Sequence, residues 1–89
     1  MASVNVIVTA HAIFQIRARN IEIDFVREVA MNPQQNVSMP GGRQVRQTQY
    51  FDTIEEKTML LRVLVEAEAG VISVVTAYKP SRLQKYWVE

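Results

Sequence analysis

The stretch KTMLLRVLVEAEAGVISVVTAYK, residues 57 to 79, decides the fold. Two apolar runs rich in Val, Leu and Ile flank EAEAG, whose small residues and Gly70 suit a tight hairpin connection. In the first run Met59, Leu61, Val63 and Val65 share one face, and Leu60, Arg62, Leu64 and Glu66 share the other. One face is therefore core and the second is mixed. In the second run the same alternation sets Tyr78 with Ile72, Val74 and Thr76.

Upstream, RQVRQTQYF from Arg43 reads as a further extended segment, polar on both faces, which places it at a sheet edge or against a partner. Gln34 to Arg43 turns to Gln, Asn, Ser, Pro and a glycine pair, the composition of a loop. Before that loop come two helical patterns. Thr9 is the N-cap of the first, which runs through Ala10, Ile13, Phe14 and Arg17 to a break at Asn20. The second buries Ile21, Phe25 and Val29 and stops at Asn32, because a residue before proline disfavours helix. Val4 to Val8 is short and rich in valine and isoleucine, as a first strand would be. SRLQKYWVE reads as a tail. The expected class is α+β in two layers, a short N-terminal strand and two helices packed on an antiparallel sheet of three to four strands. Residues 1–89 make one domain, and no internal repeat is visible.

The chain carries ten basic and nine acidic residues and one histidine. With no cysteine it forms no disulfide and has no thiolate, and a single histidine leaves too few nitrogen ligands for zinc, so neither a metal nor a cofactor is expected. No apolar run is long enough to span a bilayer, and MASVNVIVTAH lacks a charged start and a cleavage pattern, so the expectation is a cytoplasmic protein without membrane contact. PGGR lacks the lysine of a phosphate loop, and no serine sits in a nucleophile elbow.

Charge is unevenly spread. From Val29 to Phe51 the charged residues are Arg43 and Arg46 alone, and from Ala69 to Val88 they are Lys79, Arg82 and Lys85. A near-neutral chain can thus present a basic face, although solvated lysines and arginines produce the same pattern. Lys79, Arg82 and Lys85 alternate with Tyr78, Tyr86 and Trp87, a mixture that suits RNA: cations hold phosphates and rings stack on bases. The plainer reading of Tyr86 and Trp87 is packing of the tail onto the sheet. On the first helix His11, Gln15 and Arg19 form one ridge at spacing four, with Arg17 on another side. A lone histidine is more often a boundary residue than a catalyst.

TAHAIFQIRARNI, the helix ending in NP, LLRVLVE and VVTAYKPSRLQKYW together resemble the small bacterial domain-of-unknown-function family 4258. The likeness covers nearly the whole chain except Gln34 to Gly42. Ala10 stands where lysine is common in that family, and Asn20 where glycine is common. The resemblance implies a relation to the barnase, colicin and RelE-like group of metal-independent ribonucleases, many of them toxins with a neutralising protein partner. It implies catalytic roles for His11, Arg17, Arg19 and Tyr78, and RNA binding by Arg62, Lys79, Arg82 and Lys85. Such cleavage needs a base for the 2′-hydroxyl, a cation on the phosphate and an acid for the leaving 5′-oxygen. The expected function is a metal-independent endoribonuclease acting on RNA. The alternatives are a small non-catalytic domain binding RNA or protein, or an assembly protein pairing through its polar edge strand.

Overall fold

The computed structural model describes residues 5–88, so Val4 of the first expected strand and Glu89 of the tail lie outside the described residues. The elements are β1 (Asn5–Val8), α1 (Ala10–Ala18), α2 (Ile23–Met31), β2 (Gln35–Ser38), β3 (Arg43–Asp52), β4 (Lys57–Glu68), β5 (Val71–Tyr78) and a one-turn helix α3 (Leu83–Tyr86). They make an α+β fold with a single five-stranded sheet in the order β1-β5-β4-β3-β2.

The sheet is larger than the expected three to four strands, and it is mixed rather than antiparallel. β1 lies parallel to β5, with Val8 opposite Val74, because α1 and α2 and the strands after them return the chain to the side where it began. β2 comes out of the stretch read as a loop. Gln, Asn and Ser have little intrinsic preference for strand, but tertiary pairing overrides it. Gln35 opposes Gln47 and Val37 opposes Val45, and side-chain amides link Gln47 to Gln35 and Asn36 to Gln44. As a result β3, expected at an edge, lies between two partners, with Gln47 buried and Gln44 and Gln49 half-buried.

Local chemistry places the helices. The Thr9 hydroxyl accepts from the Ala12 amide at 3.1 Å and caps α1. At its other end Asn20 takes a left-handed φ of 57°, while Asn20 N donates to Arg17 O and Ile21 N to Ile16 O. These two bonds are a Schellman stop, and asparagine supplies the left-handed residue usually provided by glycine. The reversal aims α2 back across the same sheet face. Ala12, Ile16, Val26, Val29 and Ala30 of the helices then meet Leu61, Val63, Val65, Ile72, Val74 and Ala77 in one apolar core. Burial of each larger side chain contributes roughly 1.5–3 kcal/mol. Arg46 Nη1 donates to the Ala30 carbonyl and caps the end of α2.

A bulge in β5 then changes which side chains look which way. Leu64 pairs with Thr76 but Val65 pairs with Val74, so Val75 is an extra residue. Simple alternation puts Tyr78 on the face of Ile72 and Val74. The one-residue slip instead sends Ala77 into the core with them and turns Tyr78 to the opposite face, beside Arg62.

Candidate nucleic-acid interface

The face of the sheet away from α1 and α2 carries Val45, Gln47, Leu60, Arg62 and Tyr78, and the segment Pro80–Val88 lies across it as a strap. The strap is held by glutamine amides. Gln47 Nε2 donates to the Tyr86 carbonyl at 3.0 Å, the Val88 amide donates to Gln35 Oε1 at 3.1 Å, and Gln35 Nε2 returns a bond to the Val88 carbonyl. Tyr86 and Trp87 are half-buried by this packing.

Arg62 lies beneath the strap at 7% exposure. Its Nη1 donates to the Tyr78 hydroxyl at 2.9 Å, and its guanidinium carbon sits 4.2 Å from the Tyr86 ring centre and 5.7 Å from that of Tyr78. Each cation–π contact contributes about 0.5–2 kcal/mol. Among the described residues no carboxylate lies within ion-pair distance of Arg62, the one ion pair being Arg43 to Glu66 at 3.0 Å on the surface. Its Nε–H is buried without a hydrogen-bond partner, and so is Oε1 of Gln47, which faces Arg62 directly across β3 and β4. An unsatisfied buried polar group costs about 1–3 kcal/mol, so this face retains an unfilled donor and an unfilled acceptor on two opposed residues.

Open clefts flank the strap. One of about 560 Å³ is lined by Lys57, Met59, Pro80, Arg82, Leu83 and Lys85 among others. A second of about 400 Å³ lies against Tyr78, Ser81, Arg82, Lys85 and Tyr86. Their charged lining is cationic throughout. Several other cations are occupied elsewhere: Arg19 and Arg27 donate to the Ala77 and Val6 carbonyls at the outer side of β5 and β1, and Arg46 caps α2. Lys57, Arg82 and Lys85 make no hydrogen bond or ion pair among the described residues, so their charge is available to a ligand.

The expected site residues thus divide into two groups. Arg62, Tyr78, Arg82 and Lys85 come together at the strap. His11 and Arg19 belong to a separate chain of contacts along α1 and the edge of β5: Gln15 Nε2 donates to His11 Nε2 at 3.1 Å, the Thr76 hydroxyl donates to Gln15 Oε1 at 2.7 Å, and Arg19 Nη1 donates to the Thr76 hydroxyl at 3.0 Å. The ridge at spacing four is real, and its polar atoms bind one another and the edge of β5. Arg17 is exposed on α1. Lys79 turns to the helix side, where it lines a cleft of about 300 Å³ with Ile21, Phe25, Tyr50 and Phe51. Burial in that region, and secondarily the charge of Asp52, raise the pKa of Tyr50.

Sequence reasoning passed over Gln47 and Gln35 as site components, and weighed the ring of Tyr86 only as a base-stacking surface or as tail packing, not as the cover of Arg62. The only available signal was the density of glutamine in residues 34 to 49, which also describes a solvated loop. Comparison with protein-family models, with curated proteins and with solved structures found no match. Among the described residues no helix is long and apolar enough to cross a membrane, and no three histidine or acidic side chains cluster as metal ligands do.

Proposed function

We propose that this chain binds single-stranded RNA across the strap face and cleaves it without a metal. The observation that carries the reading is Arg62, a buried guanidinium with no carboxylate partner among the described residues, hydrogen-bonded to the hydroxyl of Tyr78, which lines a cleft with Arg82 and Lys85. A cation held in this way and lacking a protein counter-charge matches a phosphate as its missing partner. The lysines and Arg82 track the neighbouring phosphates, and the Tyr86 and Trp87 rings offer surfaces for bases.

In the cleavage step the ribose 2′-oxygen attacks phosphorus as the bond from phosphorus to the 5′-oxygen breaks, leaving a 2′,3′-cyclic phosphate. Arg62 holds the non-bridging oxygens, where charge develops, and Tyr78 gives its phenolic proton to the departing 5′-oxygen. The 2′-hydroxyl proton passes to a non-bridging oxygen or to water. The role that the resemblance implies for His11 moves here to Tyr78, because Tyr78 is bonded to Arg62 whereas His11 bonds Gln15 on α1. A neutralising protein partner and a cytoplasmic setting complete the reading.

The test is cleavage of a defined RNA by the purified chain in excess chelator. Tyr78→Phe and Arg62→Met are expected to lower the rate at least ~100-fold, the usual scale for an acid or an oxyanion donor, while His11→Ala leaves it within about twofold. Loss of cleavage in His11→Ala alone would return the chemistry to α1. Tight, salt-sensitive binding without cleavage would leave an RNA-binding domain, a reading favoured by the cationic lining of both clefts and the phenolic lining of the smaller one.

A further inference from the structure

The site just described is covered. Tyr86 sits on Arg62, and the buried Nε–H of Arg62 and Oε1 of Gln47 have no partner beneath it. The two residues oppose one another across β3 and β4, so a single ligand group carrying both an acceptor and a donor, such as a phosphate edge with a ribose hydroxyl, would satisfy both.

The cover itself is lightly held. Its specific polar attachments to the sheet are the Gln47 bond to the Tyr86 carbonyl and the pair of bonds between Gln35 and the Val88 backbone. α3 is a single turn, and Arg82, Gln84, Lys85 and Val88 are exposed. Clefts open beside it at Pro80–Lys85 and, on the other flank, at Gln49, Leu83, Gln84 and Trp87.

We propose that Pro80–Val88 is a displaceable cover, latched by Gln35 and Gln47, and that a phosphodiester ligand opens it by exchanging with the Tyr86 ring at Arg62. The proposal rests on the reading of this face as the RNA site. Gln47 is then two-sided: its amide nitrogen holds the cover closed, and its free carbonyl oxygen receives the ligand once the cover lifts. Because only the open form binds, the observed affinity is the intrinsic one reduced by the open fraction, and weakening the latch tightens binding.

Gln35→Ala removes both bonds to Val88 together with the bond that Gln35 Oε1 accepts from Gln47, and it leaves Arg62, Tyr78 and the Gln47 bond to the Tyr86 carbonyl in place. A short oligouridylate is the probe, with inorganic phosphate as a second arm to separate a phosphodiester ligand from a free anion. Binding is read by anisotropy of the labelled oligonucleotide, and opening by hydrogen exchange at the Val88 and Trp87 amides. Bound oligouridylate is expected to speed exchange at Val88, and Gln35→Ala to bind about fivefold tighter, the scale of one or two lost hydrogen bonds. Oligouridylate binding with Val88 exchange unchanged, or with Gln35→Ala no tighter, would overturn the cover and leave the RNA reading standing. A response to phosphate equal to that for oligouridylate would overturn the phosphodiester assignment. Binding by neither protein would overturn the cover and the RNA reading together.

Discussion

The two faces of one sheet are built on different terms. On the helix side Leu61, Val63, Val65 and Val74 meet Ile16, Val26 and Val29 with no ionised group of their own. At the border of that core the Thr9 hydroxyl and Arg46 Nη1 act as caps, and on this side Arg46 Nε is the one buried polar side-chain atom left unpaired among the described residues. On the strap side the corresponding positions hold Gln47 and Arg62, both buried, each with a polar atom left unpaired. Burial therefore stabilises the first face, whereas the second retains a desolvation cost that a ligand would relieve. In the proposed reading, stability and ligand binding are divided between the two sides of the same strands, residue by residue along β4.

The largest effect is expected where the helix face is broken. Leu61→Ala removes a fully buried side chain and should lower unfolding free energy by about 2–5 kcal/mol, read from a urea midpoint shifted at constant slope. Arg62→Met, its neighbour in sequence on the other face, should leave stability unchanged or raise it by about 1 kcal/mol while weakening RNA binding more than ~tenfold. If both variants destabilised the chain alike, the contrast between the faces would be wrong. Thr9→Ala removes the α1 cap and should cost about 1 kcal/mol by the same urea measurement, with RNA binding preserved.

Smaller effects sharpen the contrast. Tyr50 packs beside Phe25 at the border of the helix-side core, ring centres 5.1 Å apart, and its pKa is raised by burial and then by Asp52. A raised folded pKa means that its contribution is fully present below the ordinary value near 10 and is lost as pH rises through the folded value. Tyr50→Phe should therefore flatten the fall in melting temperature above about pH 10. His11→Ala should change stability by less than about 0.5 kcal/mol in urea, since the imidazole is exposed and bonds only Gln15 among the described residues.

Much of the scaffold was written locally. Thr9, Asn20 and the Asn32–Pro33 pair mark the helices, and alternation along 57 to 68 marks a strand with one apolar face. These signals are legible because each depends on residues within a turn or two of one another. β2 and the central place of β3 were not legible: glutamine has no strand signature of its own, and its role came from pairing with another glutamine. The gathering of the site was equally hidden. Arg62, Tyr78, Arg82 and Lys85 could be picked out by residue type, but so could His11, Arg17 and Arg19, and nothing in their spacing says that the first group meets at the strap while His11 and Arg19 bond along α1 and to the edge of β5.

The sequence by itself determined the class, the extents of the two helices, the apolar face of β4 and a supply of unopposed cations near the end of the chain. It did not determine the buried face of α1, where Ala12 and Ile16 face the core and Phe14, read on the apolar stripe, is exposed. The tertiary structure alone decided the parallel placement of β1 beside β5, the fifth strand, and the assignment of Tyr78 to the face of Arg62. That last decision turns on one extra residue, Val75, in the ladder with β4. A bulge has no reliable mark in a run of β-branched residues, because it is fixed by the partner strand's register, and a slip of one residue reverses every side chain beyond it.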